Sequence, residues 1–366
     1  MSMEGFTAEQ VAHLSAITLD LYMKGPLAQL GIQKKPLLAK TEAKKKAYTG
    51  AKENISLGVK FERGANGVND GVKGFAHTQL VGFYNPGKGL RANYVWREHH
   101  IGFTMSESEL KGQGILVGDE FGTVRRGKGD RGLVILANVF DEANRDFNER
   151  YAETMNALLW GDGSTDPSAL HGYRSFIQDI PTIGVVGGLS SATHVKWRNR
   201  SRTAAFAAHA SYDANWGGGA ITSNVADGGA LLQELGNEWR QLRRFGGAPN
   251  TIMAGSDFIE AMEKEIRANG MYSDTGFTKK QDGAMGEMYF KNVAVEYDPT
   301  LDDMGYTKRA YIWDDEHIYL QALQGDWKRM RDPARPYNQF VLHKSMLCTG
   351  QMVCDQRDSA LVVDIS

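Results

Sequence analysis

The order of apolar and polar residues divides the chain into distinct stretches. In residues 7–24, Val11, Leu14, Ile17 and Leu21 recur at helical spacing, Thr7 and Gln10 fit a capping box, and Gly25-Pro26 supplies a stop. Residues 33–53 are basic and polar, with no evident face to bury, so an extended arm lying on another surface is expected. Ile55, Leu57, Val59 and Phe61 then alternate with polar residues, and a Gly/Asn/Asp-rich stretch runs from Gly64 to Gly89. A second alternating run holds Tyr94, Trp96, Ile101, Phe103 and Met105. Together they predict a long hairpin over 55–112. An isolated two-stranded hairpin is marginal in water, and this one is polar in its middle. The expectation is that it packs on a second molecule. The contact candidates are Val72, Phe75, Leu80, Val81, Phe83 and Tyr84 of the hairpin, with Lys34, Lys35, Lys44, Lys45 and Lys46 of the arm.

The strongest pattern lies at 133–160. Phe140, Ala143, Phe147, Tyr151, Met155, Leu158 and Leu159 fall mostly three or four apart, with Asp141, Glu142, Arg145, Asp146, Glu149 and Arg150 on the other face. Gly161, Gly163 and Pro167 end this helix. A second begins at Asp227, carries Leu231, Leu232, Leu235, Trp239 and Leu242, and closes at Gly246-Gly247. Thr251–Met253 reads as a short strand and Asp257–Ala268 as a third helix. From Met288 onward strands are predicted at Tyr289–Tyr297, Arg309–Trp313, Ile318–Leu323, Phe340–Met352 and Ala360–Ile365. Helices in the middle with strands toward both ends indicate an α+β fold.

Composition narrows the function. A chain of 366 residues with 42 % hydrophobic content can bury a sizeable core. A formal net charge of −2 argues against a nucleic-acid coat, which needs an excess of Lys and Arg. Two cysteines, Cys348 and Cys354, make no disulfide framework, so both are expected to be small buried residues. The N-terminus lacks the basic start and apolar run of a signal peptide, and no window is apolar enough for a membrane span, which points to the cytoplasm. Many glycines (42) and few prolines (9) suit loops and hairpins better than rigid linkers.

Candidate catalytic motifs are weak. Gly127–Gly132 matches G-x-G-x-x-G, but no convincing strand precedes it and no parallel βαβ series follows, so a solvated loop is the better reading. Gly188-Leu189-Ser190-Ser191-Ala192 resembles a relaxed nucleophile elbow, yet the polar stretch after it lacks a helical stripe. Asp162-Gly-Ser-Thr-Asp166 starts like a calcium loop, but Pro167 and Tyr173 replace the glycine and acid that the loop needs. His99-His100 sits outside any zinc-ligand spacing. No nucleophile, base and orienting group assemble, so neither catalytic residues nor a cofactor or metal site is expected, and the chain reads as a non-enzyme.

The order of elements resembles the major capsid proteins of tailed bacteriophages with the Hong Kong 97 (HK-97) fold. Residues 92–110 (ANYVWREHHIGFTMSESEL) resemble the strand returning from that family's extended loop, and 133–160 its spine helix. Residues 160–172 (WGDGSTDPSALHG) resemble the exit from that helix, and 251–258 (TIMAGSDF) the strand-to-helix step of the axial domain. Residues 310–315 (AYIWDD) and 350–363 (GQMVCDQRDSALVV) resemble the closing strands. The likeness covers roughly 55–366. It implies an N-terminal helix and arm (1–54), an extended loop (55–112), a peripheral domain with the spine helix (113–165), an axial domain (166–308), peripheral strands (309–355) and a strand returning to the axial domain (356–366). It further implies hexamers and pentamers of the chain itself, closing an icosahedral head in the virion. A separate scaffolding protein and a portal are implied partners, as is a decoration protein, and the double-stranded DNA would be enclosed without specific binding. Assembly would occur in the host cytoplasm, without a membrane. Lys60, Lys73, Lys88 and Asn338 are not marked as crosslinking residues. An encapsulin-type compartment shares the implied fold, and a nucleotide-binding enzyme using Gly127–Gly132 is the alternative in another class.

Overall fold

Regular structure follows the sequence pattern through most of the chain. A computed structural model describes residues 33–49, 53–59, 74–79, 89–106, 108, 131–164, 166, 168–223, 230–268, 288–334 and 340–366. The expected helix at 7–24, the contact candidates Val72, Leu80, Val81, Phe83 and Tyr84, the loop residues 127–130, and Lys60, Lys73, Lys88 and Asn338 lie outside the described residues. The chain divides into two units, one of residues 1–34, 98–155 and 325–349, the other of 35–97, 156–324 and 350–366.

The larger unit is organised by a mixed sheet of seven strands among the described residues. Their order is Met288–Phe290, Val293–Tyr297, Thr251–Ala254, Arg309–Trp313, Leu361–Asp364, Arg200–Arg202 and Gly217–Gly218. Every residue of Thr251–Ala254 and Arg309–Trp313 is buried, as expected of strands covered on both faces. Ile252, Ala254, Ala310, Ile312, Leu361 and Val363 share one core with the two amphipathic helices. Leu231–Leu242 contributes Leu231, Leu235, Trp239 and Leu242 to it, and Ser256–Ala268 contributes Phe258, Ala261 and Met262. Elsewhere in the unit an aromatic cluster forms. Trp160 lies 5.1 Å from Tyr311 and 6.4 Å from Trp313 between ring centres, and Tyr173 lies 4.6 Å from Trp313. The Trp160 indole is fixed by donating to Asp298 Oδ2 at 2.8 Å.

Arg309–Trp313 pairs with both Thr251–Ala254 and Leu361–Asp364, so one sheet runs across position 308/309. Three expectations are corrected. The single strand expected at 289–297 is a hairpin, Met288–Phe290 with Val293–Tyr297, turned by Lys291 (φ 50°) and Asn292 (φ 69°) in the left-handed region. The run from Tyr94 to Met105 is two strands, Leu90–Val95 and Arg97–Ser106, with different partners. Finally, residues 33–53 do bury a face. Helix Pro36–Ala43 buries Leu37, Leu38 and Thr41, and Lys46–Tyr48 pairs in parallel with Gln321–Leu323. Pro36 sits in the first turn, where its missing N–H costs nothing. Asn156 Oδ1 accepts from Leu38 N at 3.1 Å, and the Thr41 and Tyr173 hydroxyls meet at 3.1 Å.

In the smaller unit the helix Arg131–Trp160 supplies residues 131–155. At a rise of 1.5 Å per residue its full length is about 45 Å. Phe147, Tyr151 and Met155 are buried at spacings of four while Arg145, Asp146 and Arg150 are exposed, as the periodicity predicts. Phe103 meets Phe147 edge-on at 5.6 Å, and Lys328 Nζ lies 4.9 Å from the Tyr151 ring centre. Arg329–Ala334 runs antiparallel to 343–347 of the long strand Val341–Cys354, which also pairs Arg97–Ser106.

Candidate subunit interface

The long hairpin is the element expected to reach another molecule, and its base is anchored inside the larger unit. Asn54–Val59 and Leu90–Val95 pair antiparallel, with Ile55 opposite Tyr94 and Leu57 opposite Ala92. Ile55, Val59, Ala92 and Tyr94 are buried, whereas Arg91, Asn93 and Val95 are exposed, so the two-residue alternation selects one inward face. This corrects the expectation that the whole hairpin lacks a home within its own chain. Tyr94 Oη donates to the Cys354 carbonyl at 2.8 Å, and its ring meets Phe176 edge-on at 5.9 Å. Burial drives this phenol well above its ordinary pKa, so it stays a donor. A second, small hairpin clamps the base: Val185-Val186 pairs Leu189-Ser190, and Gly187 O accepts from Asn93 N at 2.9 Å. Gly187 and Gly188 turn it with φ of 59° and 79°. A Cβ on Gly187 would stand 3.0 Å from both Ala92 and Tyr94, so this close approach needs glycine.

Behind the base lies a fully buried arginine. Arg357 Nε donates to the Phe176 carbonyl at 2.9 Å. Its Nη1 donates to Ser191 Oγ at 2.8 Å and the Trp197 carbonyl at 2.9 Å. Its Nη2 donates to Gln178 Oε1 and Asn199 Oδ1, each at 3.1 Å. All five N–H donors are satisfied, and every acceptor is neutral. Burial pushes the guanidinium down to about 10, so it remains charged at neutral pH. Ser191 is therefore a buried structural acceptor, and Ser190, at the nucleophile position of the elbow-like motif, is half-buried in the strand Leu189–Ser190.

The other candidates have local roles. Asp162 closes a turn, its Oδ1 accepting from Ser164 N at 3.0 Å and Ser164 Oγ at 2.7 Å. These bonds hold its carboxyl below the usual range. Cys348 and Cys354 are free thiols and buried, and burial raises the Cys354 thiol. Among the described residues no group of three or more His, Cys, Asp or Glu is placed to hold a metal ion, and no helix is long and apolar enough to cross a membrane.

The interface candidates separate into two groups. Phe75 is 67 % exposed, the kind of large apolar surface that a partner would cover. Lys34, Lys44 and Lys45 are exposed as well. Lys35 Nζ instead reaches Thr300 Oγ1 at 3.5 Å, and Lys46 Nζ contacts the Glu316 carbonyl at 3.3 Å and the Tyr319 ring centre at 3.5 Å. Sequence reasoning missed Arg357, which carries no local signal. It also missed the clamp, although Gly187-Gly188 between two apolar pairs is a hairpin signature.

Beside the clamp opens a cleft of about 550 Å³, lined among others by Val95, Arg97, His171, Arg174, Asp179 and Val185. Burial, and then the Arg97 charge, hold His171 below its ordinary pKa.

No protein-family model matches the chain. No curated protein matches it either. Solved structures do. The cyanophage A-1(L) capsid asymmetric unit is 15 % identical, aligns over 93 % of this chain and 95 % of its own, and has a TM-score of 0.60. Microbacterium phage Oxtober96 is 8 % identical over 93 % of each chain, with a TM-score of 0.50. The capsid of Myoviridae phage XM1 is 11 % identical over the full length of both, at a TM-score of 0.49 that adds nothing to the argument. The chain, with its mixed seven-stranded sheet, long helix and paired hairpin base, thus shares the fold of the cyanophage A-1(L) capsid chain.

Proposed function

We propose that this chain is the repeating subunit of a phage head, associating into hexamers and pentamers that close an icosahedral shell around double-stranded DNA. The observation that carries the reading is the likeness to the cyanophage A-1(L) capsid over 93 % of the chain. Rings of this kind use heterologous contacts, in which one patch meets a different patch on the neighbour. The hairpin base supports such a contact, because it is fixed by Tyr94 and Gly187 while Phe75 stands exposed. On this reading Arg131–Trp160 is the spine helix, the seven-stranded sheet belongs to the axial domain, and the role is structural and not enzymatic. A separate scaffolding protein and a portal are the expected partners, with a decoration protein where the shell carries one. Assembly in the host cytoplasm into the virion completes the proposal.

Electron microscopy tests it. Purified wild-type protein should form closed particles or free rings. Deleting residues 64–90 should leave a soluble, folded subunit that forms no shells. Normal particles from the deletion would remove the hairpin from the assembly mechanism.

A further inference from the structure

The cleft beside the clamp holds two arginines without a hydrogen-bond acceptor among the described residues. Arg97 is half-buried, and its Nε is shut off from water without a hydrogen-bond acceptor. Arg174 is half-buried too, and its guanidinium lies over the face of Tyr306, 4.7 Å from the ring centre. Among the described residues neither forms a salt bridge or hydrogen bond. The acids of the same cleft are already engaged. Asp179 accepts from Arg309 Nη1 with both oxygens, at 2.9 and 3.0 Å, and Asp162 closes its turn with Ser164. His171, in the same cleft, is held toward its neutral form and adds no further positive charge. A buried guanidinium nitrogen without an acceptor is costly unless an acceptor arrives from outside. Val95 and Val185, exposed to 52 % and 65 %, line the same cleft and suit the stem of an incoming side chain.

We propose that this cleft is a carboxylate-recognition site, filled in the assembled state by acidic side chains of a second copy of the chain. The inference rests on the shell reading above. The complementary charge is present on the long helix. Asp146, Glu149 and Glu153 follow one another at spacings of three and four on one stripe, Asp146 and Glu153 are exposed, and none of the three forms an ion pair among the described residues. Arginine forks bind carboxylates bidentately, which fixes register as well as strength.

The test uses an Arg174→Lys variant, which keeps the charge and supplies an amine. Shells assembled from equal parts of ¹⁴N- and ¹⁵N-labelled variant are treated with a zero-length carbodiimide, which joins amine to carboxylate, and the linked peptides are read by mass spectrometry. The expected result is a link from position 174 to an Asp or Glu peptide, with mixed isotopes marking it as intersubunit. In parallel, Arg97→Gln with Arg174→Gln should raise the protein concentration needed for shells about tenfold while leaving the unfolding midpoint unchanged. Links confined to one isotope, no link at position 174 in intact shells, or unchanged assembly of the double variant would overturn the proposal. So would citrate that binds unassembled wild-type subunits in this cleft without hindering shell formation, since the cleft would then serve a free anion. Wild-type protein that forms no particles at all would instead defeat the shell reading itself.

Discussion

Two buried arginines in the larger unit solve the same problem by opposite means. Arg309 leaves water with charged partners. Its Nε and Nη2 donate to Asp364 at 2.6 and 2.8 Å, and its Nη1 reaches both oxygens of Asp179. Burial alone would lower its pKa, yet the bonds from Asp364 and the nearby charges raise it above the ordinary value. Arg357 leaves water with no carboxylate in bonding reach among the described residues and is lowered to about 10. Two carboxylates hold Arg309 by charge, whereas five fixed dipoles hold Arg357 by geometry. The second arrangement works only where the backbone carbonyls of Phe176 and Trp197 and the side chains of Ser191, Gln178 and Asn199 are already in place. Arg357 thus reads out whether the segments around 176–199 have closed, and those segments carry the clamp on the hairpin base.

The comparison breaks most sharply at Arg357. Arg357→Leu removes one charge but strands the Phe176 carbonyl, Ser191 Oγ and Gln178 Oε1, while the Trp197 carbonyl and Asn199 Oδ1 each keep one other donor, and we expect a loss of about 3–5 kcal/mol in chemical denaturation. A loss below about 1 kcal/mol would mean that water enters and replaces the guanidinium. Arg309→Leu should cost less, about 1–3 kcal/mol, because the side chains of the stranded Asp179 and Asp364 are 33 % and 22 % exposed and keep part of their hydration. If Arg309→Leu proves the worse of the two, charge pairing and not the dipole cage limits the stability of this unit.

What the sequence made legible follows the same division. The long helix and the strands Arg309–Trp313 and Ile318–Leu323 were readable because burial on one face or both writes a period, or an unbroken apolar run, into consecutive residues. Helix Pro36–Ala43 escaped because only Leu37, Leu38 and Thr41 are buried among neighbouring lysines. The 288–297 hairpin escaped because Lys291 and Asn292, not glycine, take the left-handed turn. In the interface, the alternation of Ile55, Leu57 and Val59, and then of Tyr94 and Trp96, announced strands but not which face had a home. Arg357 was illegible for a different reason: its acceptors lie 158 to 181 residues away in the chain, and no local pattern predicts a cage assembled at that range.

A third cation sharpens the comparison, because its charge can be removed without mutation. His317 Nδ1 lies 2.8 Å from Asp355 Oδ1, with Asp314 Oδ2 3.9 Å from its Nε2. The hydrogen bond to Asp355 raises its pKa, against the opposing effect of burial, and the charges of Asp355, Asp314 and Asp358 add to the rise. A basic group raised in the folded state stabilises fully below its unfolded pKa of about 6.5 and loses that contribution as pH climbs through the folded value. The pair is partly exposed, so the effect should stay below about 1 kcal/mol. Denaturation midpoints compared at about pH 6 and about pH 9 should therefore fall slightly in the wild type and fall less in His317→Gln. Equal pH dependence in the two proteins would show that the imidazolium contributes nothing, which would leave Arg309 as the only one of the three cations stabilised by charge pairing.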